Sequence, residues 1–303
     1  MRRIAKNLDD LPREEILCSS DPKSLDGLVF PTLGIAFADG TAPHILEPSF
    51  PLAVEQYINL GEHVDAAALP REEIIATTQE YKKRWTRIYR LTSCAGTVAN
   101  DLFDLAAAGI APGRMAKKAA GIASRELFDT GRPGRTVGRF LSAVSPDGYV
   151  TVFDTVSKLA ERIYALEDSF GLGATLLEEL KNRAVARGHT VYACYSPLLP
   201  DRIEHLILPD LGLAYVTTNK RVPLPFEPTR RIRIDAMIAP DTLRFSKQKL
   251  RFGKNLLAGL IDEACNELAA ANAIHNRLEA LYNPAVDFDA LLSRADALAA
   301  RLR

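Results

Sequence analysis

The sequence predicts an α/β protein with a three-layer parallel sheet, arranged as two tandem, diverged copies and extended by long helices. Three observations carry this expectation. The segment that begins at Cys18 returns in altered form from Cys194. Short apolar runs suited to buried parallel strands alternate with segments of helical period. An apolar strand from Arg162 leads through a glycine turn into a helix.

The repeat is the first element to justify, because fixed self-similarity decides how the rest is read. LVFPTLGIAF from Leu28 and LILPDLGLAY from Leu206 align without a gap, at an offset of 178 residues. Pro31, Leu33, Gly34 and Ala36 meet Pro209, Leu211, Gly212 and Ala214. Upstream, Cys18 set against Cys194 gives an offset of 176, so the second copy is two residues longer there. Downstream, Glu47-Pro48 meets Glu227-Pro228 at 180. Chance supplies a shared Pro or Gly but hardly this series, so two unrelated buried strands is the weaker reading. The copies divide the chain into residues 1–150 and 151–303.

Within the first copy, residues 16–18 and 35–38 read as strands, and residues 71–108 carry apolar side chains at helical spacing. Residues 129–139 hold Gly131, Pro133, Gly134 and Gly138 and read as irregular. In the second copy the strands are 162–166, 190–194 and 213–216, with a helix over 176–187. Residues 241–282 form a long helix ended by Asn283-Pro284, and residues 288–302 a last amphipathic one.

Strand, glycine turn and helix is the context that a phosphate-binding P-loop needs, since glycines let backbone N–H groups approach phosphate at a helix N-terminus. On the GxxxxGK[ST] template, Asp168 occupies the first Gly, Gly173 the second, Ala174 the Lys and Thr175 the Ser/Thr. Gly171 adds a turn glycine. A plain tight βα turn is the bland reading of Gly171 and Gly173; the repeat tips the balance toward a degenerate phosphate loop. Ala174 removes the ammonium that reaches the β- and γ-phosphates, and Asp168 brings a negative charge to the same place. Both oppose triphosphate binding and hydrolysis.

At the upstream offset, Met1 falls opposite Leu177. The first copy's loop and strand are therefore expected before Met1, either lost or encoded upstream of this start. Residues 34–39 form an apolar strand ending in Asp39, the Walker B arrangement by which a carboxylate assists Mg²⁺. The second copy has Thr217 there. Asp39-Gly-Thr is equally a turn sequence, so the metal and turn readings stand even. Asp21 and Asp26 read as solvated loop carboxylates.

The chain resembles a poorly characterised bacterial family of tandem P-loop ATPases. The resemblance rests on Cys18-Ser-Ser-Asp-Pro-Lys-Ser-Leu-Asp-Gly, Asp39-Gly-Thr-Ala-Pro-His44, Tyr57-Ile-Asn-Leu-Gly61, Phe140-Leu-Ser-Ala-Val-Ser-Pro-Asp-Gly148 and Tyr282-Asn-Pro-Ala-Val-Asp-Phe288. It implies two P-loop NTPase units, each with a GxxGxGK[ST] loop, and ATP with Mg²⁺ as cofactors. Here the first loop is missing and the second reads Gly171-Leu-Gly-Ala-Thr175, so the resemblance speaks for fold rather than catalysis. Asp39 and Thr175 are the implied Mg²⁺ ligands, and Gly171, Gly173, Ala174 and Thr175 the implied phosphate contacts.

Composition narrows the remaining classes. The 38 basic residues balance 38 acidic ones, which disfavours nucleic acid as a partner of the whole surface. No apolar run is long enough to span a membrane. Cys18, Cys94, Cys194 and Cys265 lie far apart without a CxxC pair, as expected of reduced thiols in a cytoplasmic protein. The basic clusters Lys82, Lys83, Arg84, Arg87, Arg90 and Arg244, Lys247, Lys249, Arg251, Lys254 read first as solvated helix faces. Arg132, Arg135 and Arg139 are minority candidates for an arginine finger. His44, His63, His189, His205 and His275 share no triad or metal spacing, and Ser19 and Ser20 lack a GxSxG elbow. Two functions follow. One is an ATPase, should an intact loop precede Met1; the other is a non-catalytic module that keeps the fold for a protein partner or a second copy.

Overall fold

The computed structural model describes residues 1–41 and 45–303. The chain forms two compact units, Met1–Trp85 with Leu268–Arg303, and Thr86–Glu267. Both cuts fall inside long helices, α2 (Arg71–Ala107) and α7 (Lys247–Tyr282). This division follows compactness, and so differs in kind from a 150/151 boundary drawn by sequence repeat. Among the described residues, no helix is long and apolar enough to cross a membrane.

In the first unit, helix α1 (Arg2–Asn7) precedes strands β1 (Glu14–Leu17), β2 (Leu25–Phe30) and β3 (Ile35–Ala38), which pair antiparallel in that order. The unit's core gathers Ile4, Ala5 and Leu8 of α1 and its exit, Leu28 and Phe30 of β2, and Ala299 of α8 (Phe288–Ala300). Asp287 caps α8 by accepting the Ala290 amide. A two-pronged ion pair fastens the same helices. Arg3 donates to both oxygens of Asp296 at 2.7 and 2.8 Å, and Asn7 adds a third donor at 2.6 Å.

In the second unit the sheet contains β4 (Arg135–Arg139), β7 (Arg162–Glu167), β8 (Thr190–Tyr195), β9 (Ile203–Leu208), β10 (Leu213–Thr218) and β11 (Arg230–Arg233). The spatial order is β11-β7-β10-β9-β8-β4. Five of these strands run parallel. β9 is antiparallel to both its neighbours, which corrects the expectation of an all-parallel sheet. The reason is connection length: β9 reaches β10 through the tight turn Pro209–Leu211 and left-handed Gly212, too short for a crossover. The expected loop at residues 129–139 is corrected as well, because its second half is strand β4, paired with β8.

Helices α3 (Arg114–Glu126), α4 (Phe153–Leu159), α5 (Gly173–Ala186) and α6 (Pro240–Phe245) and the hairpin β5 (Ser142–Ser145)–β6 (Gly148–Thr151) complete the unit. Alternation along each strand sends side chains to two cores. Tyr164, Leu166, Leu206, Leu208 and Tyr215 meet α3 and α5 on one face. Ile163, Ile207, Ala214 and Val216 meet Phe153 and Val156 of α4 on the other. The three-layer expectation holds for this unit.

Strands β1-β2-β3 and β8-β9-β10, in separate sheets, pair in the same pattern. Phe30 pairs with Ile35 and Leu208 with Leu213, then Gly27 with Ala38 and His205 with Val216. Both first strands bulge at the same step: Leu17 pairs with Leu25, skipping Asp26, and Tyr195 pairs with Ile203, skipping Glu204. Beyond each bulge the Cys18 amide donates to the Ser24 carbonyl, and the Ser196 amide to the Arg202 carbonyl. Gly34 and Gly212 both take positive φ, 64° and 54°. By ladder position Cys18 corresponds to Ser196 and not to Cys194, so the 178-residue offset extends through the whole strand.

Because Arg3 and Asn7 hold its ionised form, the Asp296 carboxyl drops to about 2. A depressed acid stabilises the fold fully above its unfolded pKa of about 3.9 and loses that contribution as pH falls toward the folded value. Asp296→Asn should therefore flatten the acid limb of unit 1 stability between about pH 4 and 2 relative to the parent, read by circular dichroism during acid titration.

Candidate functional site

In an open α/β sheet, ligands collect beyond the carboxyl ends of the parallel strands. That edge of the second unit is where β7 passes through residues 168–172 into α5. The strand–turn–helix expected for the phosphate loop is therefore present in geometry. Gly171 takes φ 76°, which a side chain resists. At Gly173 a Cβ would be crowded, 3.0 Å from Asp168 Oδ2 and 3.1 Å from Leu166 Cδ2.

What fills this turn is the chain itself. Asp168, only 3% exposed, accepts the Gly173 amide at 2.6 Å and the Phe170 amide at 3.0 Å. Asp235, at the end of β11, accepts the Ser169 amide at 2.9 Å. The amides of Ala174 and Thr175 turn inward to the carbonyls of Gly171 and Leu172. Burial pushes the Asp168 carboxyl up from its ordinary range, while the amides of Gly173, Phe170 and Leu172 oppose that shift. Lys254 of α7 stands 3.9 Å from the centre of the Phe170 ring. Partial burial lowers its pKa, against the attraction of Asp235 and Asp168.

Gly171, Gly173, Ala174 and Thr175 thus lie together at a helix N-terminus, as the template demands, but the amides of Gly173, Ala174 and Thr175 are already engaged. These residues do not fit a bound triphosphate. Asp39 belongs to the first unit, where its Oδ1 accepts the Thr41 amide at 2.9 Å in a turn; Thr175 belongs to the second. Among the described residues, no group of three or more His, Cys, Asp or Glu side chains is placed to hold a metal ion. Ala42–His44, the end of the Asp39 motif, lie outside the described residues.

Sequence reasoning missed a second cluster on the same edge. Ser142 Oγ lies 3.0 Å from His205 Nε2 and 2.9 Å from Thr151 Oγ1. Tyr149 donates to Glu204 Oε1 at 2.7 Å, and Glu204 Oε2 is 3.3 Å from His205 Nε2. Serine, histidine and glutamate invite a hydrolase reading, and the tautomer excludes it. The Thr217 amide donates to His205 Nδ1 at 3.1 Å, so the ring proton resides on Nε2. A ring that donates toward Ser142 has no free lone pair for the serine proton. The cluster is a buried polar network built around the Glu204 bulge, in which Glu204 Oε2 accepts no hydrogen bond. Only the pairing register reveals it, since no motif spacing joins residues 142, 149 and 204.

Of the other candidates, Arg139 ends β4 at this same edge, paired in register with Cys194. Arg139 donates to the Gly138 carbonyl and lies over Tyr192, and Arg135 is on the edge strand β4. Arg87 pairs with Glu263 and Glu267 at 2.7 and 2.8 Å, and Lys82 and Arg84 have partners of their own. His189 bonds the Phe128 carbonyl, His275 lies against Tyr81, and His44 is outside the described residues. All four cysteines are free. Comparison of the chain with protein-family models, with curated proteins and with solved structures returns no match.

Two outcomes are expected. Asp168→Asn points an NH₂ group at the loop amides and should cost about 1–3 kcal/mol in urea unfolding; an unchanged midpoint would remove Asp168 from its role. Burial and the charge of Glu204 push the Cys194 thiol up to about 12. At neutral pH, iodoacetamide should modify the exposed Cys94 in the folded chain and reach Cys194 only after denaturation, as mapped by mass spectrometry.

Proposed function

We propose that the chain is a P-loop NTPase-related protein in which the second-half phosphate loop is closed by internal carboxylates. In this reading the fold serves as a non-catalytic interaction module. The Asp168 carboxylate carries the proposal, because it takes the amide donors of Phe170 and Gly173 that a P-loop presents to phosphate. Ala174 in place of the lysine points the same way, and so does Thr217 where a Walker B carboxylate belongs.

The tandem reading is supported by the pairing pattern that β1-β2-β3 and β8-β9-β10 have in common, bulge included. Two unrelated hairpins have no reason to skip one residue at the same step. The ATPase reading, with Asp39 as metal ligand, gains less: its carboxylate already accepts a turn amide. Free thiols and the lack of a spanning helix among the described residues agree with a cytoplasmic location.

Titration calorimetry of the full chain with ATP and Mg²⁺ is expected to detect no binding at micromolar concentrations. A dissociation constant near 1 μM, about −8 kcal/mol, would overturn the closed loop. Asp168→Gly combined with Ala174→Lys frees the amides and supplies the missing ammonium. That double variant, shown folded by circular dichroism, should gain at least about tenfold in ATP affinity, or roughly 1.4 kcal/mol. A folded double variant without any gain argues against a P-loop origin of the turn.

A further inference from the structure

We propose that the exposed face of α6 and the start of α7 binds single-stranded nucleic acid. The sequence there repeats at seven residues: Leu243-Arg244-Phe245-Ser246-Lys247, then Leu250-Arg251-Phe252-Gly253-Lys254. The two helices meet at Ser246, φ −92° and ψ 3°, whose amide bonds the Thr242 carbonyl and whose carbonyl accepts from Leu250, both at 2.9 Å, so the turn keeps the i to i+4 bonding. A seven-residue period on a helix keeps equivalent residues on one face. Leu243, Leu250 and Leu257 take the inner face and pack on the main core.

The outward positions fall into two stripes. Arg244, Lys247, Arg251 and Lys254 follow one another at spacings of three and four, a basic row along the helix. Beside it stand Phe245, 78% exposed, and Phe252, 69% exposed, about 10 Å apart along the axis at 1.5 Å per residue. Lys247, Arg251 and Lys254 also line a cleft of about 310 Å³ with Leu243 and Leu250. Between residues 240 and 260 the only acid is Asp241, which pairs with Arg244 at 3.2 Å. A second cleft of the same unit, about 360 Å³, is lined by Arg114, Lys117, Lys118 and Arg125. The balanced charge of the whole chain conceals this local concentration.

Exposed rings beside a cationic row are the elements of a single-strand surface: the rings stack on unpaired bases and the cations follow the phosphates. A duplex hides its base faces and leaves the phenylalanines without partners. An anionic bilayer fits less well, because the helix has spent its leucine row on the core and both basic sites are concave, whereas membrane-surface helices present a broad apolar face.

The test is fluorescence anisotropy of the full chain with a labelled thymidine oligonucleotide of about 20 residues, with the matching duplex, and with phosphatidylserine vesicles. The oligonucleotide should bind more tightly than the duplex, with a log–log salt slope of about −2 to −3 for three or four neutralised phosphates. Phe252→Ala should weaken it about 5- to 100-fold with the slope retained. Lys247→Glu with Arg251→Glu should abolish binding at every salt concentration. These side chains are exposed, so an unchanged thermal midpoint checks that each variant folds. No binding at low salt, equal affinity for duplex, indifference to Phe252→Ala, or binding to vesicles alone would each overturn the proposal.

Discussion

Much of the second unit turns on one buried carboxylate. Asp168 ends β7, where its amide bonds the Thr218 carbonyl of β10, and its side chain gathers the first turn of α5. Strand, neighbouring strand and helix therefore meet at a single residue. A helix N-terminus leaves amide donors without intrahelical partners, and burying them unpaired is costly. A phosphate meets that demand in a P-loop. Here an internal anion meets it permanently, and the turn is satisfied without a ligand.

This internal closure explains the glycines of the turn. At Gly173 a Cβ would crowd the Asp168 carboxylate at 3.0 Å. At Gly171 the turn passes through positive φ. Such turn geometry is thus no evidence of nucleotide chemistry, since the same close approach serves an internal group. The Ser142–His205–Glu204 cluster teaches a parallel lesson. Its residue types suggest catalysis, but the backbone amide of Thr217 fixes the imidazole in the tautomer that cannot deprotonate serine.

The legible parts of the sequence were those with a strong period or a strong stop. Helix α2 begins at Arg71 as its apolar spacing indicates, α7 ends at Tyr282 before Asn283-Pro284, and β3 spans Ile35–Ala38 as expected. The antiparallel course of β9 was not legible, because a short apolar run reads alike in either direction and only the Pro209–Gly212 turn sets it. β4 was obscured by Gly134 and Gly138. Gly134 has no room for a Cβ beside the Val185 backbone, and Gly138 pairs with Ala193 inside the sheet. The like placing of Cys18 and Ser196 beyond their bulges was hidden by a matching cysteine at 194.

Charge closes the account of the loop. Asp168 and Asp235 bring two carboxylates to one turn, and the helix N-terminus alone offsets about half a charge. Lys254 adds a cation from a different element, α7, across the face of Phe170, where both acids act to raise its pKa against burial. Closing the loop by internal charge also leaves Lys254 as the inner end of the basic row on the helix surface. That one residue joins the closed turn to the basic row of the helix.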